Sequence, residues 1–200
     1  DMETCFRDAV AVIEGIDARP CHFVGLSMGG FVGMRLAARR PELLYSLSLL
    51  ETTAEPEPLE NVPRYRLLGL VASWLGTRFV VDRVMPILFG RTFLTDPTME
   101  ATRASWRAEI ASRPRSIVRA VRGVIERAGV MDEVASIRLP TLVVVGDEDV
   151  ATPPSKARRI EQLVPGARLA RIAAAGHSSP VEQPAEVTQV LSDFFATLPY

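Results

Sequence analysis

Apolar and polar positions alternate between two regimes along this chain. Met2, Cys5, Phe6, Ala9 and Ile13 recur at a spacing that puts them on one side of a helix, and Gly15 offers a C-cap. The apolar run CHFVGL (21–26) then reads as a short buried strand, and FVGMRLAARR (31–40) as a helix stopped by Pro41. YSLSLLE (45–51) is a second strand. From Thr52 to about Asn61 the composition turns to Glu and Pro, as in a linker. Broken helical patterns follow to about residue 130, in RYRLLGLVASWLG, FVVDRVMPILFG, MEATRASWRAEIAS and RSIVRAVRGVIERAG. Strand logic returns in LPTLVVVGDED, entered through Pro140. PSKARRIEQLV is a helix, ARLARIAAAGH a fourth strand with its exit loop, and PAEVTQVLSDFFATL a closing helix.

Strands alternating with helices at this spacing predict an α/β fold around a parallel sheet. The helices between the second and third strands read as an excursion from it. The expectation is a core over residues 1–51 and 132–200 and a helical cap over 52–131.

Composition narrows the functional classes. A chain of 200 residues with 48% apolar content and a net charge of −1 describes one soluble globular domain. The charge gives no general attraction to nucleic acid, and no stretch reaches the ~18 apolar residues of a membrane helix. Cys5 and Cys21 are too few for a disulfide framework, so a reducing, cytoplasmic setting is expected. There is no Cys/His cluster and no P-loop, so neither a metal nor an organic cofactor is expected.

The chemistry-bearing stretch is CHFVGLSMGGFVGMRLAARRPE, residues 21–42. Gly25-Leu26-Ser27-Met28-Gly29 fits G-x-S-x-G at a strand-to-helix junction. A sharp turn there forces the serine into a strained backbone, and Gly25 and Gly29 are expected to supply the room it needs. Ser27 would then stand near a helix N-terminus that favours negative charge. Serine needs a base. His22 opens the strand leading to Ser27 and points away from the apex, so it reads as a structural or surface residue. His177, in AAAGHSSP, lies in a loop past the fourth strand, where ligands are expected outside strand carboxyl ends. The acid belongs to GDEDVATPP, where Asp147, Glu148 and Asp149 compete and the pattern favours Asp149. Glu51, at the end of the second strand, is the alternative acid, or else a surface carboxylate opening the linker.

Serine, acid and histidine in that chain order, with the elbow GLSMGG, the acid loop GDEDVATPP and the histidine loop AGHSSPVEQP, resemble the α/β-hydrolase superfamily. The similarity extends over essentially the whole chain outside the cap. Within that superfamily the sequence is similar to small bacterial hydrolases that include 3-oxoadipate enol-lactonases and related carboxylesterases. The resemblance implies a Ser27–His177–Asp149 triad acting on a small ester or lactone, with the Met28 N–H as an oxyanion donor. It also implies strands ahead of the first helix, and a His-Gly loop carrying a second oxyanion donor. This sequence contains no His-Gly dipeptide. The expectation is a fragment of a longer protein or a chain completed by a partner, with HFVGL as an exposed sheet edge able to self-associate. Other chemistry on the same fold (carbon–carbon bond hydrolysis, perhydrolysis, a lyase reaction) and a binding protein with little turnover remain alternatives.

Between Asn61 and Arg127 stand twelve arginines, no lysine and five acids, a local charge of +7. Most of these arginines read as solvated. Some of Arg64, Arg78, Arg83 or Arg91 could face the pocket and hold a substrate carboxylate, since the guanidinium fork suits that geometry. Trp74, Phe79, Phe89, Phe93 and Trp106 are as compatible with a helical core as with a pocket wall.

Overall fold

The computed structural model describes residues 1–17 and 19–199. Four strands, β1 (Cys21–Leu26), β2 (Leu44–Leu50), β3 (Thr141–Gly146) and β4 (Arg168–Ile172), form a parallel sheet in the order β1-β2-β3-β4. Leu26 pairs with Leu50, Leu50 with Val144, and Gly146 with Ile172. All four carboxyl ends therefore finish at one edge of the sheet. β3 is buried along its whole length, as the run TLVVVG requires of a strand covered on both faces. β1 is an outer strand, with Val24 and Leu26 45% and 41% exposed.

The helices divide between the two faces. α1 (Met2–Gly15), α2 (Met28–Arg39), α8 (Met131–Val134) and α9 (Pro154–Leu163) share one core with Leu47, Leu49, Val143 and Val145. α11 (Pro184–Ala196) covers the other face through Val187 and Phe194, against Leu50, Leu142, Val144 and Ile172. The apolar face of α1 packs on α2 as its spacing predicts, and Glu3 ties it there by accepting from buried Arg35 at 2.9 Å. The α1 cap falls on Ile16, at φ −96°, not on Gly15, so the left-handed freedom of that glycine goes unused. His22 donates or accepts at Ser46 Oγ (2.8 Å) and packs beside Tyr45 and Phe195, away from the strand ends.

Between β2 and β3 the chain is helical: α3 (Val62–Leu75), α4 (Val81–Leu88), α5 (Arg91–Thr95), α6 (Glu100–Ser112) and α7 (Ile117–Ile125). Val81, Met85, Phe89 and Phe93 form a small core of their own, with Val181 from α10 (Ser179–Glu182) packed against it. The Glu/Pro-rich stretch after β2 differs from the solvated linker its composition predicts. Thr52, Thr53 and Ala54 are buried, because Ala54 O accepts from Val130 N (2.8 Å) and Glu55 O from the Arg127 guanidinium (3.2 Å).

Candidate active site

Each strand end delivers one polar group to the same edge. Ser27 follows β1. Its N–H still continues the ladder, donating to Leu50 O at 2.8 Å, but its own backbone then turns to φ 49°, ψ −108° before α2 begins. A non-glycine residue in this region is strained, and the surroundings must hold it. Thr52 does so in part, its hydroxyl donating to Ser27 O at 2.9 Å. The glycines do so by absence of side chains. A Cβ on Gly25 would lie 2.5 Å from the Gly29 carbonyl, and one on Gly30 2.6 Å from Thr52. A Cβ on Gly29 would meet nothing within 4 Å. The expectation that Gly29 provides room is therefore corrected: the close approach falls on Gly30, one residue further into the helix.

His177, in the loop after β4, places Nε2 2.8 Å from Ser27 Oγ and Nδ1 2.9 Å from Asp149 Oδ2. An ionised carboxylate only accepts, so the ring proton sits on Nδ1 and Nε2 is free to accept from the Ser27 hydroxyl. Asp149 is buried in the β3 exit loop. Its Oδ1 accepts from the Ala151 and Thr152 amides (2.8 and 2.9 Å), and its Oδ2 from the Thr152 hydroxyl (2.8 Å). Burial alone would push this carboxyl up. The hydrogen bonds from His177 and Thr152 outweigh it and hold the group below the ordinary aspartate value.

The competing acids are sent elsewhere. Asp147 accepts from Arg171 (2.6 Å) at the surface, and Glu148 accepts from the Thr92 amide and hydroxyl (2.7 and 2.6 Å). Glu51 does not reach His177, and it is no surface carboxylate either: it is fully buried at φ 43°. Burial, reinforced by the charges of Asp149 and Glu182, pushes its carboxyl up to about 8 despite a hydrogen bond from the Ser179 hydroxyl (2.6 Å). The Met28 N–H, first in α2, makes no hydrogen bond to a described residue and stands next to Ser27.

Two groups were not singled out by sequence reasoning. One is Thr152, whose hydroxyl sits on Asp149 and 3.2 Å from His177 Nδ1. The other is Glu182, buried, whose oxygens accept from the amides on either side of His177, Gly176 (3.0 Å) and Ser178 (3.1 Å), and from Gly90 (2.8 Å). The motif HSSPVE places an acid five residues after the histidine, but nothing local announces that it turns back.

Ser27, Thr152 and His177 open onto a cavity of about 450 Å³ roofed by α3, α4, α6 and α7. None of Arg64, Arg78, Arg83 or Arg91 lines it. A helix carrying arginines on its outer face contributes its charge to a sequence count, not to the pocket; Arg78, for instance, lies over the Phe79 ring at 4.8 Å. The arginines that do line the cavity are Arg113 and Arg127. Of the five aromatics, Trp106 lines it, Phe89 and Phe93 stack in the helical core with centroids 4.8 Å apart, and Trp74 and Phe79 are exposed.

The chain belongs to the alpha/beta hydrolase family, whose sequence profile matches residues 1–190. Its relatives include the 3-oxoadipate enol-lactonase 1 of Acinetobacter baylyi, 24% identical over 98% of this chain and 72% of that one. A thermophilic esterase from Thermogutta terrifontis superposes with a TM-score of 0.87 at 27% identity, over 98% of this chain and 72% of the esterase. An enol-lactonase from Burkholderia xenovorans LB400 superposes at 0.88, over 98% and 73%, and at 24% identity shares the fold. The protein is thus an α/β-fold hydrolase. Among the described residues no helix is long and apolar enough to cross a membrane.

Proposed function

We propose that this chain is a serine hydrolase that cleaves a carboxylic ester or lactone through an acyl-enzyme. The observation carrying this reading is the continuous hydrogen-bonded line Ser27 Oγ–His177 Nε2/Nδ1–Asp149 Oδ2, whose Ser27 and His177 line the apolar cavity. Ser27 Oγ attacks the carbonyl carbon as its proton passes to Nε2. The carbonyl electron pair moves to oxygen, and that oxyanion lies at the Met28 N–H and the N-terminal end of α2. Collapse restores the carbonyl and expels the alkoxide, which takes the proton from Nε2. Water then gives a proton to His177 and attacks the acyl carbon, and the proton returns to Ser27 as the acid leaves. Asp149 holds the imidazole in the Nδ1–H form and balances its charge when protonated. The names of the esterase and enol-lactonase relatives support the same class of substrate.

Intact-mass labelling of the full chain with a fluorophosphonate tests this. One adduct, lost in Ser27→Ala, is expected. A folded protein that takes up no label at Ser27 would overturn the reading.

A further inference from the structure

The roof of the cavity is built mainly from apolar side chains, among them Leu68, Val84, Ile110, Val118 and Val121. Three charged side chains reach it, and each has an ion-pair partner within the chain. Arg127, buried, donates to Glu57 Oε2 at 2.8 Å and to Val124 O at 2.7 Å, and its guanidinium lies 4.4 Å from the centre of the Phe31 ring. Glu57 takes a second hydrogen bond from Asn61 (3.1 Å). Arg113, half-exposed, pairs with half-exposed Glu109 at 2.6 Å. The Thr77 hydroxyl is spent on Ala111 O and Arg113 O, both at 2.9 Å. Tyr65 and Trp106 add two neutral lining groups, a hydroxyl and an indole N–H, that make no hydrogen bond to a described residue.

A carboxylate brought among these apolar side chains loses hydration, and the buried cation beside them, Arg127, is already paired with Glu57. A buried charge without a partner is strongly disfavoured, whereas each buried methylene is gained. Recruiting Arg127 would strand Glu57 in its place, which moves the cost without removing it.

Resting on the serine-hydrolase reading, we infer that the substrate is an uncharged ester or lactone whose acyl portion is apolar, and that an acyl group ending in a carboxylate is rejected. This sets the chain apart from the anionic-substrate expectation that its arginine count raised.

The test compares kcat/KM of the full chain for p-nitrophenyl acetate, butyrate and hexanoate with that for the mono-p-nitrophenyl ester of adipic acid, which ends in a carboxylate. A rise of about fourfold per methylene across the neutral series is expected. The adipate monoester should fall about 100-fold or more below the hexanoate. Glu57→Gln, which frees the Arg127 charge, should narrow that gap about tenfold or more. Equal or faster turnover of the adipate monoester by the unaltered chain would overturn the inference while leaving the hydrolase reading intact. If none of these esters is turned over, the rates at which fluorophosphonates with a hexyl or a carboxypentyl chain modify Ser27 make the same comparison. Absence of any reaction at Ser27 would instead remove the serine-hydrolase reading, and the inference with it.

Discussion

The Glu182 carboxylate accepts the Gly90 amide at 2.8 Å, joining the helical segment between β2 and β3 to the loop that carries His177. The same carboxylate accepts from Gly176 and Ser178. The two backbones touch: a Cβ on Gly176 would stand 2.2 Å from the Gly90 nitrogen. Burial pushes the Glu182 carboxyl up against the pull of these three amides.

Replacing Glu182 by Gln would therefore turn one acceptor into a donor that faces amides. A buried unsatisfied donor costs about 1–3 kcal/mol. Chemical denaturation should show that loss, and kcat for a neutral ester should fall about tenfold as the His177 loop relaxes. An unaltered kcat in a destabilised variant would assign Glu182 to the fold alone.

Asp149→Asn should reduce kcat by about 10⁴-fold, since an amide favours the wrong imidazole tautomer. Thr152→Val should be milder, about tenfold, the loss of one hydrogen bond to a charged group. It should also alter the response to acid. Asp149 sits below its unfolded value of 3.8, so its ionised form contributes stability above that pH, and the contribution is lost as pH falls through the folded value. Removing the Thr152 hydroxyl raises the folded value. Loss of structure on acidification, followed by circular dichroism, should then begin at a higher pH.

Two neighbouring glycines should behave oppositely. Gly29→Ala places its methyl in open space and should leave the rate of fluorophosphonate labelling at Ser27 within a few-fold. Gly30→Ala drives a methyl into Thr52, a stiff buried side chain already committed to Ser27 O. Overpacking of this kind typically costs about 1–3 kcal/mol. Activity and thermal midpoint should both drop.

Glu51 introduces a pH dependence of the other sign. Its carboxyl is raised from 4.5 to about 8 in the fold, so between these values the unfolded chain is ionised while the folded chain keeps its proton. Its contribution to stability is complete below about pH 4.5 and declines as pH rises to about 8, at up to ~1.4 kcal/mol per pH unit. Glu51→Gln retains an oxygen for the Ser179 hydroxyl and cannot ionise. Denaturation midpoints at pH 5, 7 and 9 should decline less in the variant than in the parent. Parallel curves would remove this account.

The α/β architecture and the meeting of Ser27, Asp149 and His177 were legible because both depend on local signals. Strand runs, a glycine-flanked turn and loops after strand ends are short-range patterns, and a parallel sheet brings successive strand ends together without further instruction. What stayed hidden is pairing across long stretches of chain. Nothing near Glu57 names Arg127 as its partner seventy positions away, and nothing near Glu182 names Gly90, ninety-two away. Burial of Glu51 escaped notice because a carboxylate before a Glu/Pro-rich stretch reads as solvated, while the sheet edge it ends on is roofed. The arginines misled for a related reason: a count of charges does not say which side of a helix they occupy.

Ser27, Asp149 and His177 all follow strand ends of one sheet, whereas most of the cavity wall beside Ser27 and His177 comes from the chain between Leu50 and Thr141. On the proposed reading, the groups that break the bond and most of the side chains that choose the molecule belong to different stretches of the chain. Exchanging residues 62–125 would then reshape what the cavity admits while leaving Ser27, Asp149 and His177 on their strand ends. The exchange has one toll: any replacement must still offer a glycine amide where Gly90 meets Glu182.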